Sequence, residues 1–497
     1  MMNEMEQEFS QNIKRATKWS SLTELCAKLV TPIISIFLAR ILAPSEFGII
    51  ASMTMVISFA DMLSDSGFQK FLIQHEFCDE NQKYLYANTA FTINIIVSTF
   101  LWLIIIAFST QITIIINSPE KQFGLILSAS TLPITSFSSL QSALFKRSFN
   151  FKVLFISRIV TIVIPFVITI PFAFLFRNYY ALILGTIAGS TANAIILTAK
   201  SKWKPKLAIR KLVLARMLSF SIWSLFESIS IWFTSWIDVF IIGSLLSQNE
   251  LGLFRTSINT VNGITSIITA ATTTVLFSAL SRLQNNQVGF KACFFRFQRL
   301  VGMVVLPLGM GIFLFQSLIT RILLGSQWIE AQSLVGLWGL VSGISIIISS
   351  YCSEGYRAKG LPRISLIVQI IYLPILIIVC YYSASDSFQA LTFARTFVRL
   401  AIIPIHCIFL NRVLNIRFFD MFKNVLLILV ASIAMGAFGW YLHKLSHNTP
   451  QEFLVAIACI IFYFGFIIIF KSGRKDTRML FRYFSKRLAK NKSDNKY

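Results

Sequence analysis

The sequence predicts an all-α membrane protein with about fourteen transmembrane helices. Of its 497 residues, 55% are hydrophobic and 13% are charged, whereas a soluble globular protein has about 25% charged residues. The mean hydropathy is +0.70. The apolar residues also form stretches of about 20 residues, the length that a helix needs to cross the hydrocarbon core of a bilayer. Most of the chain is therefore expected to lie within a membrane.

The apolar stretches follow one another along the chain with short polar connections between them. We predict membrane spans at residues 18–40, 46–72, 84–108, 118–141, 153–176, 180–199, 216–244, 252–280, 297–316, 330–350, 363–382, 387–410, 422–442 and 450–470. The polar N-terminus lacks the pattern of a cleavable signal peptide, so the first span is expected to direct its own insertion.

Alternate connections differ sharply in basic charge. The connection 200–216 contains seven Lys or Arg residues, whereas the connections near 109–118, 245–251 and 383–387 contain none. Basic connections remain on the cytoplasmic side of a membrane. With an even number of spans, both termini are therefore predicted to be cytoplasmic. The same distribution explains the net charge of +24, so we expect no nucleic-acid partner.

The short connections and the scattered Cys and His residues exclude several classes of function. A soluble catalytic domain takes at least about 50 residues, and no connection offers that length, so we predict that the protein is not an enzyme. The seven Cys residues contain no Cys-x-x-Cys pair, and the four His residues form no cluster with the spacing of metal ligands. We expect no metal and no cofactor, with proton or sodium coupling of transport left open.

A local pattern recurs 204 residues apart. Glu46 and Gly48 open the second span, and Glu250 and Gly252 open the eighth. A Glu in the first turn suits the positive end of the helix dipole. The offset corresponds to six helices, and an even number gives both copies the same polarity. Parallel repeats of this kind are typical of transporters, with the substrate path between the two halves.

The repeat divides the chain into two similar bundles and an appended helix pair. The predicted parts are a cytoplasmic N-terminus at 1–17, a six-helix bundle at 18–199, a basic cytoplasmic linker at 200–215, a second six-helix bundle at 216–410, helices thirteen and fourteen at 422–470, and a basic cytoplasmic tail at 471–497.

Several local motifs, in this order and spacing, resemble those of a known transporter family. They are Phe37–Gly48, Ser64–Phe68, Phe145–Lys152, Leu276–Gln284 and Leu324–Ala331. Over most of 18–410 the chain resembles the Wzx-type polysaccharide flippases of the multidrug/oligosaccharidyl-lipid/polysaccharide exporter superfamily. One departure is Ser278, where the family often has Pro.

The resemblance implies a flippase with an alternating-access mechanism. Its substrate would be an undecaprenyl-diphosphate-linked oligosaccharide, moved from the cytoplasmic to the periplasmic leaflet of a bacterial inner membrane. The product would be a surface polysaccharide: O-antigen of lipopolysaccharide, capsule or exopolysaccharide. The implied partners are this substrate and membrane lipid, and assembly with a polysaccharide polymerase and chain-length regulator stays open. The alternative is a multidrug or cation antiporter of the same superfamily, which would favour an acidic binding cavity.

Two arginines in the twelfth span are the strongest candidates for substrate binding. Arg395 and Arg399 are one helical turn apart and share a face. Guanidinium groups bind phosphate oxygens in bidentate geometry, and a diphosphate can accept two of them. Lys28 and Arg255 complete the predicted substrate-binding set, within a cavity expected between the halves. Pairing of the two arginines with a distant carboxylate such as Glu227 is the alternative.

Acidic residues within spans are candidates for ion coupling or gating, because an ionised side chain at mid-bilayer costs about 2.5–3.5 kcal/mol on insertion scales. The candidates are Glu24, Asp61, Glu227 and Asp238. Glu24 is four residues from Lys28, so a self-neutralising pair is equally compatible with the sequence. Asp238 faces Arg255 across a helical hairpin, where a structural ion pair is favoured over a substrate site.

Three further basic residues lie near the predicted cytoplasmic ends of their spans. These are Arg158, Arg296 and Arg299. We expect them to gather the anionic substrate at the cytoplasmic entrance. The alternative is that they serve membrane topology alone.

Overall fold

The structure of the protein is a computed structural model that describes residues 2–65, 67–445 and 448–478. Side chains are described in these ranges except at residues 2–18, 21, 25, 220, 223, 224, 227, 270, 271, 274 and 362. The regular structure in the described ranges is helical throughout. The prediction of an all-α membrane protein is confirmed.

Fourteen long helices follow one another along the described chain. The first eight are α1 (Met2–Ile41), α2 (Pro44–Asp65), α3 (Glu80–Ala107), α4 (Gln122–Arg147), α5 (Phe151–Phe176), α6 (Tyr180–Lys200), α7 (Lys211–Leu245) and α8 (Gln248–Arg282). The remaining six are α9 (Gln287–Leu314), α10 (Ser326–Ala358), α11 (Pro362–Asp386), α12 (Phe388–Leu414), α13 (Phe418–Leu445) and α14 (Thr449–Ile469). Shorter helices occur at Phe68–Gln74, Ser109–Ile115 and Gln316–Leu323.

Thirteen of the described helices have a stretch long and apolar enough to cross a membrane. The predicted span at 252–280 corresponds to α8, a continuous helix of 35 residues. The side chains of residues 270, 271 and 274 in α8 lie outside the described residues, over which the thirteen are counted. A helix of this length extends about 50 Å at 1.5 Å per residue, which is more than a bilayer's hydrocarbon core requires.

Polar side chains define where several helices begin. The Asp79 carboxylate accepts the backbone N–H of Gln82 at 2.6 Å and caps α3. The Asn286 side chain accepts the backbone N–H of Gly289 at 2.9 Å and caps α9. These bonds satisfy N–H groups that have no partner within the first turn of a helix. The starting point of these helices is therefore determined by the capping side chains as well as by the lengths of the apolar stretches.

The described chain forms two compact units. The first contains the residues up to Thr256 together with Cys380–Phe388, and the second contains Ser257–Val379 and the residues from Gln389 onward. The linker predicted at 200–215 and the whole of α7 thus belong to the first unit. The repeat of two six-helix bundles and the cytoplasmic position of the termini remain predictions.

The two glycines of the sequence repeat touch one another within the first unit. A β-carbon on Gly48 would lie 1.8 Å from the carbonyl oxygen of Gln248, and one on Gly252 would lie 1.8 Å from that of Pro44. Residues 44 and 248 are separated by the same 204 positions as residues 48 and 252. The start of α2 therefore crosses the start of α8 in a reciprocal contact that only glycine permits.

The two glutamates of the repeat have different partners. Glu46 accepts the backbone N–H of Tyr179 at 2.6 Å and so ties the start of α2 to the residue that precedes α6. Glu250 accepts the backbone N–H of Ser247 at 2.9 Å, which is the reciprocal half of a capping box at the start of α8. The repeat thus conserves the position of each carboxylate but not its contact.

Arg147 at the end of α4 fixes the adjacent short helix Phe68–Gln74. Its Nη1 donates to the carbonyl oxygens of Leu72 at 3.1 Å, Ile73 at 3.2 Å and His75 at 2.5 Å. Carbonyl groups at the end of a helix have no partner within it. The Arg147 side chain supplies the missing donor, which gives this motif a structural role.

Candidate functional site

Two irregular helices position the arginines of the twelfth span. The long helix α10 contains a π-helical segment at Ile346–Ser350. The helix α12 contains a 3₁₀ turn at Arg399–Ala401 and a π-helical segment at Leu410–Leu414. Such departures from α-helical geometry are frequent at functional sites. The arginines therefore lie at a point where the helix geometry already deviates.

Arg395 and Arg399 both lie over the ring of Trp338 on α10. The guanidinium carbon of Arg395 is 5.1 Å from the ring centroid, and that of Arg399 is 4.1 Å away. Arg399 Nη1 donates to Ser342 Oγ at 2.9 Å. The Trp338 indole N–H donates to Asn262 Oδ1 at 3.1 Å, which fixes the orientation of the ring. The predicted common face of the two arginines is confirmed by this shared ring.

The arginine–tryptophan cluster combines low exposure with positive charge. Arg395 is 8% exposed and Arg399 is half-buried. Among the side chains that the structure describes, none forms an ion pair with Arg399. The alternative partner Glu227 has a side chain outside the described residues. Cation–π contacts support two like charges at short range, and the cluster has the chemistry to bind an anion with two phosphate groups.

A cavity of about 210 Å³ lies within the first unit among α2, α3, α4 and α6. Every described residue that lines it is polar. The lining includes Asp61, Asp65, Asn94, Thr135, Lys146 and Asn193. A polar cavity among membrane helices is costly, because polar groups in an apolar medium need hydrogen-bond partners. Polar residues so placed are candidates for function.

Hydrogen bonds organise the wall of this polar cavity. Thr135 Oγ1 donates to the Asp61 carboxylate at 3.0 Å. Ser136 Oγ donates to Asn94 Oδ1 at 3.1 Å, and Asn94 Nδ2 donates to Ser139 Oγ at 3.0 Å. Carboxylate, amide and hydroxyl oxygens are the groups that hard cations prefer. The arrangement can hold a proton on Asp61 or a hydrated cation.

Comparisons with known proteins identify the family. A family model described as "polysaccharide biosynthesis protein" matches residues 37–333, which is more than half of the chain. The chain belongs to this polysaccharide biosynthesis family. The resemblance noted from the motifs is thereby confirmed.

Curated relatives of this family member span most of its length. It is 23% identical to an uncharacterized membrane protein in the cps region of Klebsiella pneumoniae, over 73% of this chain and 75% of the relative. It is 21% identical to the succinoglycan biosynthesis transport protein ExoT of Rhizobium meliloti, over 69% and 68% respectively. It is 19% identical to the lipopolysaccharide biosynthesis protein WzxC of Escherichia coli, over 73% and 74%.

Solved structures show which fold this family member has. The lipid II flippase MurJ in an inward closed conformation matches with a TM-score of 0.68 at 13% identity, over 92% of this chain and 98% of MurJ. An inward-facing multidrug transporter of the MATE family matches with a TM-score of 0.58 at 12% identity, over 81% and 99%. The fold is therefore the one shared by MurJ and this MATE-family transporter.

The other predicted site residues of this family member occupy separate places. Glu24 is exposed and Lys28 is half-buried, and these two described side chains form no ion pair with each other. The guanidinium of Arg255 lies 4.5 Å from the ring centroid of Trp236. Asp238 is buried, and its carboxylate accepts the backbone N–H of the following residue at 2.8 Å. The self-neutralising pair is thus not formed, and the roles of these residues stay predictions.

The residues predicted at the cytoplasmic entrance also differ in their surroundings. Arg158 and Arg296 are exposed. Arg299 instead forms an ion pair with Asp476, with 2.5 Å between Nε and Oδ2. Arg299 therefore anchors the segment that follows α14. Its role in attracting an anion stays a prediction.

Trp338 and the polar wall of α4 belong to the site but were not predicted from the sequence. Nothing in the local sequence identifies Trp338 as a site residue, because its role arises from contact with α12. The α4 residues were recognisable, since the run Thr-Ser-Phe-Ser-Ser-Leu-Gln-Ser at 135–142 interrupts an otherwise apolar helix. Together with Asn94 and Asn193 on neighbouring spans, it predicts a polar interior.

Proposed function

We propose that this member of the polysaccharide biosynthesis family is a flippase for undecaprenyl-diphosphate-linked oligosaccharides. It moves them from the cytoplasmic to the periplasmic leaflet of a bacterial inner membrane by alternating access, for the synthesis of O-antigen, capsule or exopolysaccharide. The observation that carries the proposal is the cluster of Arg395 and Arg399 on Trp338, inside membrane helices of a chain with the MurJ fold.

The arginine–tryptophan cluster suits the diphosphate of such a substrate. Each guanidinium offers a planar pair of donors to one phosphate group. The ring of Trp338 holds the two forks side by side, and Ser342 and Asn262 fix the orientation of Arg399 and of the ring. Because Arg395 is 8% exposed and Arg399 is half-buried, the attraction of an anion exceeds that at an exposed arginine pair. The sugar part needs no covalent step, in keeping with a transporter.

A multidrug or cation antiporter is the alternative within the same superfamily. Its substrates are mostly cations, and a cation would meet two guanidinium groups at the cluster of Arg395 and Arg399. The cluster therefore favours an anionic substrate. The proposal includes a polysaccharide polymerase and a chain-length regulator only as the proteins that consume the translocated product.

The test is transbilayer movement of a lipid-diphosphate oligosaccharide in proteoliposomes. The variant Arg395→Gln/Arg399→Gln should lower the rate by at least 10-fold, since hydrogen bonds to charged groups contribute about 1.5–3 kcal/mol each. The matched control is Arg412→Gln/Arg417→Gln, which removes two exposed arginines at and beyond the end of the same helix. Equal rates for the two double variants would contradict the site, and failure of the unsubstituted protein to move this lipid would contradict the function.

We also propose that Asp61 and the polar cavity around it couple transport to a proton or sodium ion. The supporting observations are the hydrogen bond from Thr135 to Asp61 and the polar character of all the described lining residues. Asp61→Asn should remove the dependence of the rate on a pH or sodium gradient while leaving downhill movement measurable. Asp420→Asn, an exposed carboxylate at the start of α13, is the control. Retained gradient dependence in Asp61→Asn would refute the coupling role.

A further inference from the structure

A second cavity, of about 810 Å³, opens in the first unit beside the basic connections. Its walls come from four parts of the chain: Trp19 on α1, the first turn of α3, residues 144–152 around the α4–α5 connection, and residues 200–203 after α6. This cavity shares no lining residue with the polar cavity around Asp61. The proposed transport mechanism does not use it.

Four lysines converge on this second cavity from three segments of the chain. They are Lys83 on α3, Lys152 at the start of α5, Lys200 at the end of α6, and Lys202 beyond it. Among the described lining residues, the one carboxylate is Glu80, which forms an ion pair with Lys83 at 2.5 Å. The described lining residues therefore carry a net charge of three positive units. It is a focus of positive potential and will attract anions.

Aromatic side chains alternate with these lysines. Trp19, Tyr84, Phe145, Phe149 and Trp203 all contribute to the lining. Phe149 lines the cavity and is 45% exposed. Its φ of +54° is a backbone conformation that bulky residues rarely adopt. Aromatic residues of this kind concentrate at the level of lipid headgroups, where one side is apolar and the other is wet.

The segment that carries Lys202 is held in place along α3. The Trp203 indole N–H donates to Asn88 Oδ1 at 2.9 Å, and the backbone N–H of Lys206 donates to the same oxygen at 3.1 Å. Farther on, the backbone N–H of Ala208 donates to Thr92 Oγ1 at 2.9 Å. These bonds fix a stretch that the sequence predicts as a linker. The wall of the cavity is therefore built before any ligand binds.

We propose that this cavity binds the phosphate-bearing headgroup of an anionic lipid from the adjacent leaflet. The lysines neutralise the phosphate, and the aromatic rings pack on the glycerol or sugar part and on the first methylene groups. Basic pockets between membrane helices are suited to such headgroups. Two lipids share this chemistry, a bulk anionic phospholipid and a polyprenyl diphosphate. Topogenic charge alone would require basic residues on a connection, but not their convergence around an aromatic cavity with a fixed wall.

The inference is independent of the proposed transport, because binding is measured without flipping. The experiment is a lipid titration of the purified full-length protein in detergent, followed by native mass spectrometry, with dioleoyl phosphatidylglycerol compared with the zwitterionic phosphatidylethanolamine. The variant is Lys152→Gln/Lys200→Gln/Lys202→Gln. The matched control is Lys206→Gln/Arg210→Gln/Lys211→Gln, which removes three exposed charges just beyond the cavity wall.

We expect the unsubstituted protein to prefer phosphatidylglycerol, and the cavity variant to lose affinity by about fivefold for each lysine removed. That factor corresponds to the roughly 1 kcal/mol that a basic residue contributes near an anionic surface. The control should bind as the unsubstituted protein does. If the triple variant does not fold, Lys152→Gln and Lys200→Gln are measured singly, each with an expected loss of about fivefold.

The source of the headgroup is separated by competition. Displacement of phosphatidylglycerol by undecaprenyl diphosphate at equal concentration assigns the cavity to the polyprenyl lipid, and lack of displacement assigns it to bulk phospholipid. Three results overturn the proposal: equal affinity for the two phospholipids, equal losses in the cavity variant and the control, or displacement by inorganic pyrophosphate at the concentration of the lipid. The last would show a site for free phosphate compounds in place of a lipid.

Discussion

The crossing of α2 and α8 predicts that Gly48→Ala destabilises the protein. The added β-carbon would lie 1.8 Å from the carbonyl oxygen of Gln248, whereas ordinary contact begins at 3.4 Å. The two helices would have to separate by about 1.6 Å. The opposing atom belongs to the backbone and has no rotamer by which to move aside. Other packed contacts of the crossing would be lost with the separation.

The magnitude follows from the cost of overpacking. An extra methyl group in a well-packed interior costs about 1–3 kcal/mol, and the backbone contact places Gly48→Ala at the upper end. The better helix propensity of Ala offsets about 0.5–1 kcal/mol of this. We expect a net loss of about 2 kcal/mol. The first unit has about 265 residues, for which the shift is about 2 °C per kcal/mol, so the melting temperature should fall by about 4 °C.

The assay is thermal unfolding of the purified protein in detergent, followed through the reactivity of its buried cysteines. Gly252→Ala should behave alike, because its β-carbon meets the Pro44 carbonyl oxygen at the same 1.8 Å. The double variant should lose less than the sum, since both changes open one contact. Gly311→Ala on α9 is the control, because a β-carbon there meets nothing within 4 Å. A melting temperature of Gly48→Ala equal to that of Gly311→Ala would refute the reasoning.

Three further predictions concern the arginines and their partners. Trp338→Leu should slow lipid-diphosphate transport more than Trp338→Phe does, because Phe keeps a ring face for the two guanidinium groups; equal rates would contradict the stacking role. Arg147→Gln should lower the melting temperature, with partial recovery in Arg147→Lys, since hydrogen bonds to charged groups contribute about 1.5–3 kcal/mol each; an unchanged temperature would show that the three carbonyl groups find other donors. Arg299→Gln and Asp476→Asn should each lower the free energy of unfolding by up to about 1 kcal/mol. The double variant should lose no more than either single variant. Additive losses in thermal unfolding would mean that the ion pair contributes nothing.

The helical architecture could be read from the sequence because it depends on local quantities. The length and the apolarity of each stretch are properties of the chain itself. They determine which stretches can cross the bilayer as helices. The π-helical segments of α10 and α12 leave no mark in the composition of the chain. Their geometry depends on packing between helices.

The candidate site was predictable in part for the same reason. The spacing of Arg395 and Arg399 predicts a common face, and the shared ring confirms it. The ring itself belongs to Trp338, on a different helix, and sequence spacing carries no information on that contact. The fixed position of residues 203–208 on α3 was hidden likewise, because Asn88 and Thr92 are more than 100 positions away. Basic composition alone suggested a free linker.

The reciprocal contact at Gly48 and Gly252 has the form of an isologous interface. Pro44 contacts Gly252, which is the repeat counterpart of Gly48. Gly48 in turn contacts Gln248, which is the repeat counterpart of Pro44, as in a twofold symmetric dimer. Such a contact requires only one self-complementary surface, because the same residues serve on both sides. The crossing therefore places two equivalent backbone surfaces against each other, at a point where a β-carbon on either helix is sterically excluded.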